Sequence, residues 1–124
     1  MKKNILVIMS VLVFALISSC TLNYETNSGS FCIRNDSNNE YLCISEVYVM
    51  EKEQSGYERI WTGKLCSGSS EFIKLEEGKY SVKIVVTDAY GFCYEFTTGY
   101  NIYKNVESGK CVYVMFDGNG VFFE

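Results

Sequence analysis

Six cysteines and no histidine define the chemistry open to this chain of 124 residues. Without histidine, the usual general base near neutral pH is missing. Two nucleophile pairs remain on paper, Cys66 with Lys64 and Cys93 with Glu95, each at i, i+2. Every second residue of a strand shares a face, so that spacing is uninformative. Glu46, Glu51, Glu53, Glu76, Glu77, Asp88 and Asp117 offer carboxylates for glycoside cleavage. They fall in turn segments or on polar strand faces, where solvation accounts for them. No catalytic residue and no enzyme activity are expected. Nor is a metal or cofactor, because no zinc-ribbon CxxC pair occurs. Asp36-x-Asn38 starts like a calcium loop, but Tyr41 replaces the sharp-turn glycine and Val47 the bidentate glutamate. A turn rich in Asx residues is expected there instead.

Cys20 stands apart from the other cysteines. Lys2 and Lys3 precede an apolar run from Ile5 to Ile17 that only Ser10 interrupts, and Ser18 and Ser19 lead to Cys20. This is the layout of a secretory signal, too short to span a bilayer stably. Its ending, Ile17-Ser18-Ser19-Cys20, resembles the lipobox of bacterial lipoprotein precursors. That resemblance implies cleavage of a signal helix at 1–19, fatty acylation of Cys20 and attachment to the membrane through those acyl chains. Thr21 is not the aspartate that retains such lipoproteins at the inner membrane, so an outer-membrane address is favoured, on its periplasmic or surface face. Residues 20–30, polar after the cysteine, are expected to form the lipidated cysteine and a flexible tether. Residues 31–124 suffice for one domain.

The other cysteines, Cys32, Cys43, Cys66, Cys93 and Cys111, suit an exported domain in which disulfides persist. Five is odd, so at least one thiol stays free or pairs between molecules. If Asp36-Ser37-Asn38-Asn39 closes a hairpin, Cys32 falls opposite Cys43 at disulfide distance. Cys93 with Cys111, on two late strands, is a second candidate. The formal charge of −4, made more negative by loss of Lys2 and Lys3, disfavours binding to nucleic-acid phosphates or anionic lipid.

The chain is rich in Tyr, Phe, Val and Ile and has no proline. Tyr80, Val82, Ile84 and Val86 alternate with Ser81, Lys83, Val85 and Thr87, the period of a strand with one dry face. Strands are expected at 31–35, 41–52, 57–65, 71–75, 79–87, 92–98, 100–106, 110–116 and 121–124, separated by turn-forming clusters. Short strands at this spacing indicate an all-β fold, a single antiparallel β-sandwich of about seven to nine strands, immunoglobulin-like in layout.

A second resemblance runs from Ile33 to Glu95. Its pieces are Ile33-Arg34-Asn35-Asp36-Ser37, Ile44-x-x-Val47-Tyr48-Val49, Trp61-x-Gly63, Phe72-x-x-Leu75-x-x-Gly78-x-Tyr80-x-Val82 and Asp88-x-x-Gly91-x-x-Tyr94-Glu95. Together they resemble transthyretin-like and carboxypeptidase-regulatory-like β-sandwich modules of bacterial exported proteins. The resemblance implies binding, spacing or assembly roles. Tyr57, Trp61, Tyr90, Tyr100 and Tyr103 lie near turns or on short strands and are the candidate ligand-binding residues. The expected function is a non-catalytic lipid-anchored module of the cell envelope that binds a protein, peptide or glycan. The alternative is a secreted inhibitor of an attacking lysozyme or protease, presenting one rigid loop around residues 88–93.

Overall fold

The computed structural model describes residues 27–124. The signal, Cys20 and residues 21–26 of the expected tether lie outside the described residues. Nine strands form among them: β1 (Ser28–Asn35), β2 (Cys43–Glu51), β3 (Glu58–Leu65), β4 (Ser70–Glu76), β5 (Gly78–Thr87), β6 (Cys93–Thr97), β7 (Lys104–Val106), β8 (Cys111–Phe116) and β9 (Val121–Phe123). They build two sheets packed face to face, a β-sandwich. The first has the order β4-β1-β8-β9. In the second, the order is β3-β2-β5-β6, with β7 beside β6 along the same edge of the long β5. Every pairing is antiparallel except β1 with β8, which is parallel. The chain leaves the first sheet after β4 and re-enters at β8 from the end where β1 began.

The alternation read from β5 survives in the fold. Tyr80, Val82, Ile84 and Val86 face Phe31, Ile33, Val114 and Phe116 of the other sheet, all in one buried core. Each fully buried side chain of this size contributes roughly 1.5–3 kcal/mol relative to exposure. Rings bridge the sheets at two levels. Phe31 meets Tyr80 edge-on at 6.1 Å, and Phe96 meets Phe116 at 5.1 Å.

Two expectations about strand limits are corrected. Residues 28–30, assigned to the tether, belong to β1. Gly29 fits there because a Cβ would strike the Glu107 carbonyl oxygen and come within 2.7 Å of Val106 Cγ1. The strand expected at 100–106 is only Lys104–Val106. Gly99 (φ 110°) and Asn101 (φ 60°) are left-handed, so the preceding residues turn out of the sheet as a loop.

The expected disulfides are also corrected. Residues 31–35 and 41–52 do not form a hairpin, because β1 pairs with β4 and β8 while β2 pairs with β3 and β5. The stretch between them crosses from one sheet to the other. It does so through consecutive side-chain turns: Ser37 N donates to Asn35 Oδ1 (3.1 Å), Asn39 N to Ser37 Oγ (3.0 Å) and Tyr41 N to Asn39 Oδ1 (2.9 Å). Cys32 is a free, buried thiol between Phe72 and Tyr113 in the register of the first sheet, and burial pushes its pKa up. Cys43 bonds to Cys66 instead, with Cα atoms 4.1 Å apart. The β2–β3 pairing sets Ile44 opposite Leu65, which brings the next residue outward on each strand together. Cys93 and Cys111 are both free, since Cys93 pairs with Thr87 at the far end of β5 while Cys111 lies beside Ser30 at the opposite end of the sandwich.

Connections collect at two poles. At the near pole, Glu77 N donates to Asn27 O and Gly109 N to Ser28 O, so the chain enters the domain there. At the far pole, Asp36 N donates to Phe116 O and Gly68 N to Asn35 O. Residues 36–42, 66–69, 88–92 and 117–120 meet at that end.

Candidate functional site

The tight connection between β5 and β6 organises the far pole. Asp88 Oδ1 accepts from Tyr90 N (2.9 Å) and Phe92 N (3.0 Å), and Asp88 Oδ2 accepts from the Tyr94 hydroxyl (3.1 Å). Gly91, at φ 83°, closes the turn with its N–H on Asp88 O (3.1 Å). One carboxylate thus holds the loop and one neighbouring ring in place. Tyr90 stands 87% exposed at its tip, and Tyr41 is 61% and Tyr94 47% exposed. The pairing of Cys43 with Thr87 brings the start of β2, and with it Tyr41, beside this loop. The three tyrosines border a groove of about 670 Å³ that also reaches Val86 and Phe96. Asp36, Glu40, Asp88 and Asp117 outnumber the nearby cations: Arg34 is occupied by Asp36 at 3.7 Å, and Lys64 lies along the adjoining surface with Glu40 and Asp88.

The hydrogen bond to Asp88, reinforced by its charge, holds the Tyr94 phenol above the ordinary tyrosine range. A raised pKa means that the bond's contribution to stability is present below the unfolded value, near 10, and is lost as pH rises through the folded one. Asp88→Asn retains an oxygen for Tyr90 N and Phe92 N but puts an amide where Oδ2 accepted the phenol. Alkaline titration at 295 nm should show one tyrosine ionising at lower pH in Asp88→Asn than in the parent. Superimposable curves would refute the assignment.

A second cluster lies on the outer face of the second sheet. Tyr57, Tyr100 and Tyr103 gather around a pocket of about 200 Å³ beside Met50, Ser81 and Thr97. Lys83 Nζ steadies its rim, 5.1 Å from the Tyr57 ring centroid and 4.4 Å from that of Tyr48, with Glu95 at 3.7 Å.

The five aromatic candidates therefore divide. Tyr90 belongs to the groove, and Tyr57, Tyr100 and Tyr103 to the pocket. Trp61 joins neither, because it packs half-buried against the core over Gly63, where a Cβ would come within 2.7 Å of the indole. Tyr41, Tyr94 and Ser81 were not singled out from sequence. Asp88 is legible in the sequence as a turn former, a spare carboxylate and the head of Asp88-x-x-Gly91-x-x-Tyr94, a motif that contains the whole local network. No protein-family model, curated protein or solved structure matches this chain, so its function is argued from the geometry of these sites.

Proposed function

We propose that this chain is a non-catalytic, lipid-anchored lipoprotein of the bacterial cell envelope that holds a protein, peptide or glycan at its far pole. The observation that carries this reading is the set of exposed rings of Tyr41, Tyr90 and Tyr94 around one groove. Rigid aromatic rings offer large contact area at low entropic cost, the usual material of binding hot spots. The acidic surroundings favour a neutral or basic partner and repel an acidic one.

The anchor supports the same reading. Acyl chains on Cys20 contribute roughly 0.8 kcal/mol per buried methylene, and two or more give stable attachment. Cys20 to Ser28 reaches at most about 26–29 Å when extended, and it joins the domain at the near pole. β1 then spans about 25 Å to the far pole. The groove thus lies at the end of the domain opposite the one the tether joins.

The test is affinity capture from solubilised envelopes with the full chain as bait, beside Tyr41→Ala/Tyr90→Ala and Cys20→Ala chains in fractionated cells. Both tyrosines are exposed, so the double variant should unfold like the parent yet retain at least about tenfold less of any captured partner. Equal retention would overturn the groove reading. Cys20→Ala should move the protein to the soluble fraction; continued labelling by a palmitate analogue would overturn the anchor. The loop braced by Asp88 also suits an inhibitor of an attacking lysozyme or protease. That reading gains if the chain lowers such an enzyme's activity and Tyr90→Ala does not.

A further inference from the structure

We propose that the tyrosine pocket on the outer face of the second sheet is a binding site for a neutral sugar ring, separate from the far-pole groove. Its floor holds Ser81, which is 2% exposed and whose Oγ has no hydrogen-bond partner among the described residues. A hydroxyl removed from water without a partner costs free energy, and a ligand hydroxyl is one group that would supply the missing bond. Ser81 sits opposite Met50 in the β2–β5 register and lines the pocket with it.

The walls suit the same ligand. Tyr57, Tyr100 and Tyr103 line it, and tyrosine combines a ring able to stack on C–H surfaces with a hydroxyl at its tip. Thr97 and Asn101 add hydrogen-bonding groups, and no charged side chain lines the pocket. Its volume of about 200 Å³ matches one six-membered sugar ring. Lys83 at the rim is already paired with Glu95 at 3.7 Å, so an ion gains little here, and a purely apolar ligand would leave Ser81 unpaired.

The loop that carries Tyr100 and Tyr103 is built on a firm base. Thr98, 8% exposed, donates its N–H to Val82 O (2.9 Å) and accepts from Val82 N through Oγ1 (3.2 Å). It bridges the gap between β6 and β7 along β5. Above it, Asn101 is the one non-glycine residue with positive φ among those described, and Tyr100 is 93% exposed.

The test is NMR titration of the full chain, in phosphocholine micelles that carry no sugar headgroup, with glucose, N-acetylglucosamine and glucuronate. The expected result is saturable shifts of the Met50 methyl and of the Tyr57, Tyr100 and Tyr103 rings with a neutral sugar, and weaker or no binding of glucuronate. Ser81→Ala should weaken binding about tenfold, the loss of one hydrogen bond to ligand, while melting at the same or a higher temperature. Tyr100→Ala should abolish the shifts. No saturable shift at about 100 mM sugar, well beyond a millimolar Kd, would overturn the proposal. So would unchanged affinity in Ser81→Ala, glucuronate binding as tightly as glucose, or a lower melting temperature for Ser81→Ala, which would mean that its hydroxyl has a structural partner.

Discussion

Asn35→Ala should cost about 3 kcal/mol of stability, because it strands three buried backbone groups at once. Asn35 is fully buried at the end of β1. Its Nδ2 donates to Leu42 O (2.8 Å) and Leu65 O (3.0 Å), and its Oδ1 accepts from Ser37 N (3.1 Å). Those partners belong to the crossing stretch and to the end of β3, so one amide fastens the first sheet to the second at the far pole. Ser67 Oγ, which donates to Ser37 O, tightens the same junction. In a domain of this size the loss should lower Tm by roughly 12–24 °C. Asn35→Asp discriminates further. Its carboxylate keeps an acceptor for Ser37 N but sets a second oxygen against two carbonyl oxygens. Near neutral pH it should therefore be at least as unstable as Asn35→Ala, and it should recover as acid protonates the carboxyl and restores one donor. Calorimetry at pH 7 and pH 4 checks both; a loss below about 1 kcal/mol for Asn35→Ala would show that the network is not stabilising.

Removing the Cys43–Cys66 disulfide should cost a similar amount. The bond closes a loop across a sequence separation of 23 residues, for which loop-closure entropy gives about 3 kcal/mol. Cys43→Ala/Cys66→Ala should lose this stability in urea unfolding, and a reducing agent should produce the same loss in the parent but none in the double variant. With total stabilities of small domains commonly about 5–15 kcal/mol, either change removes a large share. Non-reducing peptide maps should show Cys43 joined to Cys66, with exposed Cys93 alkylated first, half-buried Cys111 more slowly and buried Cys32 only on unfolding. A Cys32–Cys43 peptide would contradict the sheet assignment itself.

These two expectations separate what was legible in the chain from what was not. Each strand was readable because its signal is local. Tyr80, Val82, Ile84 and Val86 repeat every second residue, and Glu76-Glu77-Gly78 and Asp88-Ala89-Tyr90-Gly91 mark its ends. Even the Asx-rich nature of 36–39 could be read from residue types. The destination of that turn could not. Asn35-Asp36-Ser37-Asn38 suits a hairpin as well as a crossing between sheets, and the choice depends on which pairing buries Phe31 and Ile33. The same ambiguity misassigned Cys32.

The sites follow the same division. That Tyr90 and Tyr100 would stand exposed was legible from their placement beside turns. Which tyrosines meet was not, since Tyr41 reaches Tyr90 only through the Cys43–Thr87 register, and Tyr57 reaches Tyr100 only across β2 and β5. The sequence by itself determined an all-β chain and the approximate places of its strands, because alternation and turn chemistry act between neighbours. Only the tertiary structure decided the sheet order, the Cys43–Cys66 bond, the buried Asn35 and the two tyrosine sites. These depend on contacts between residues far apart in the chain, chosen by the burial of both sheet faces together.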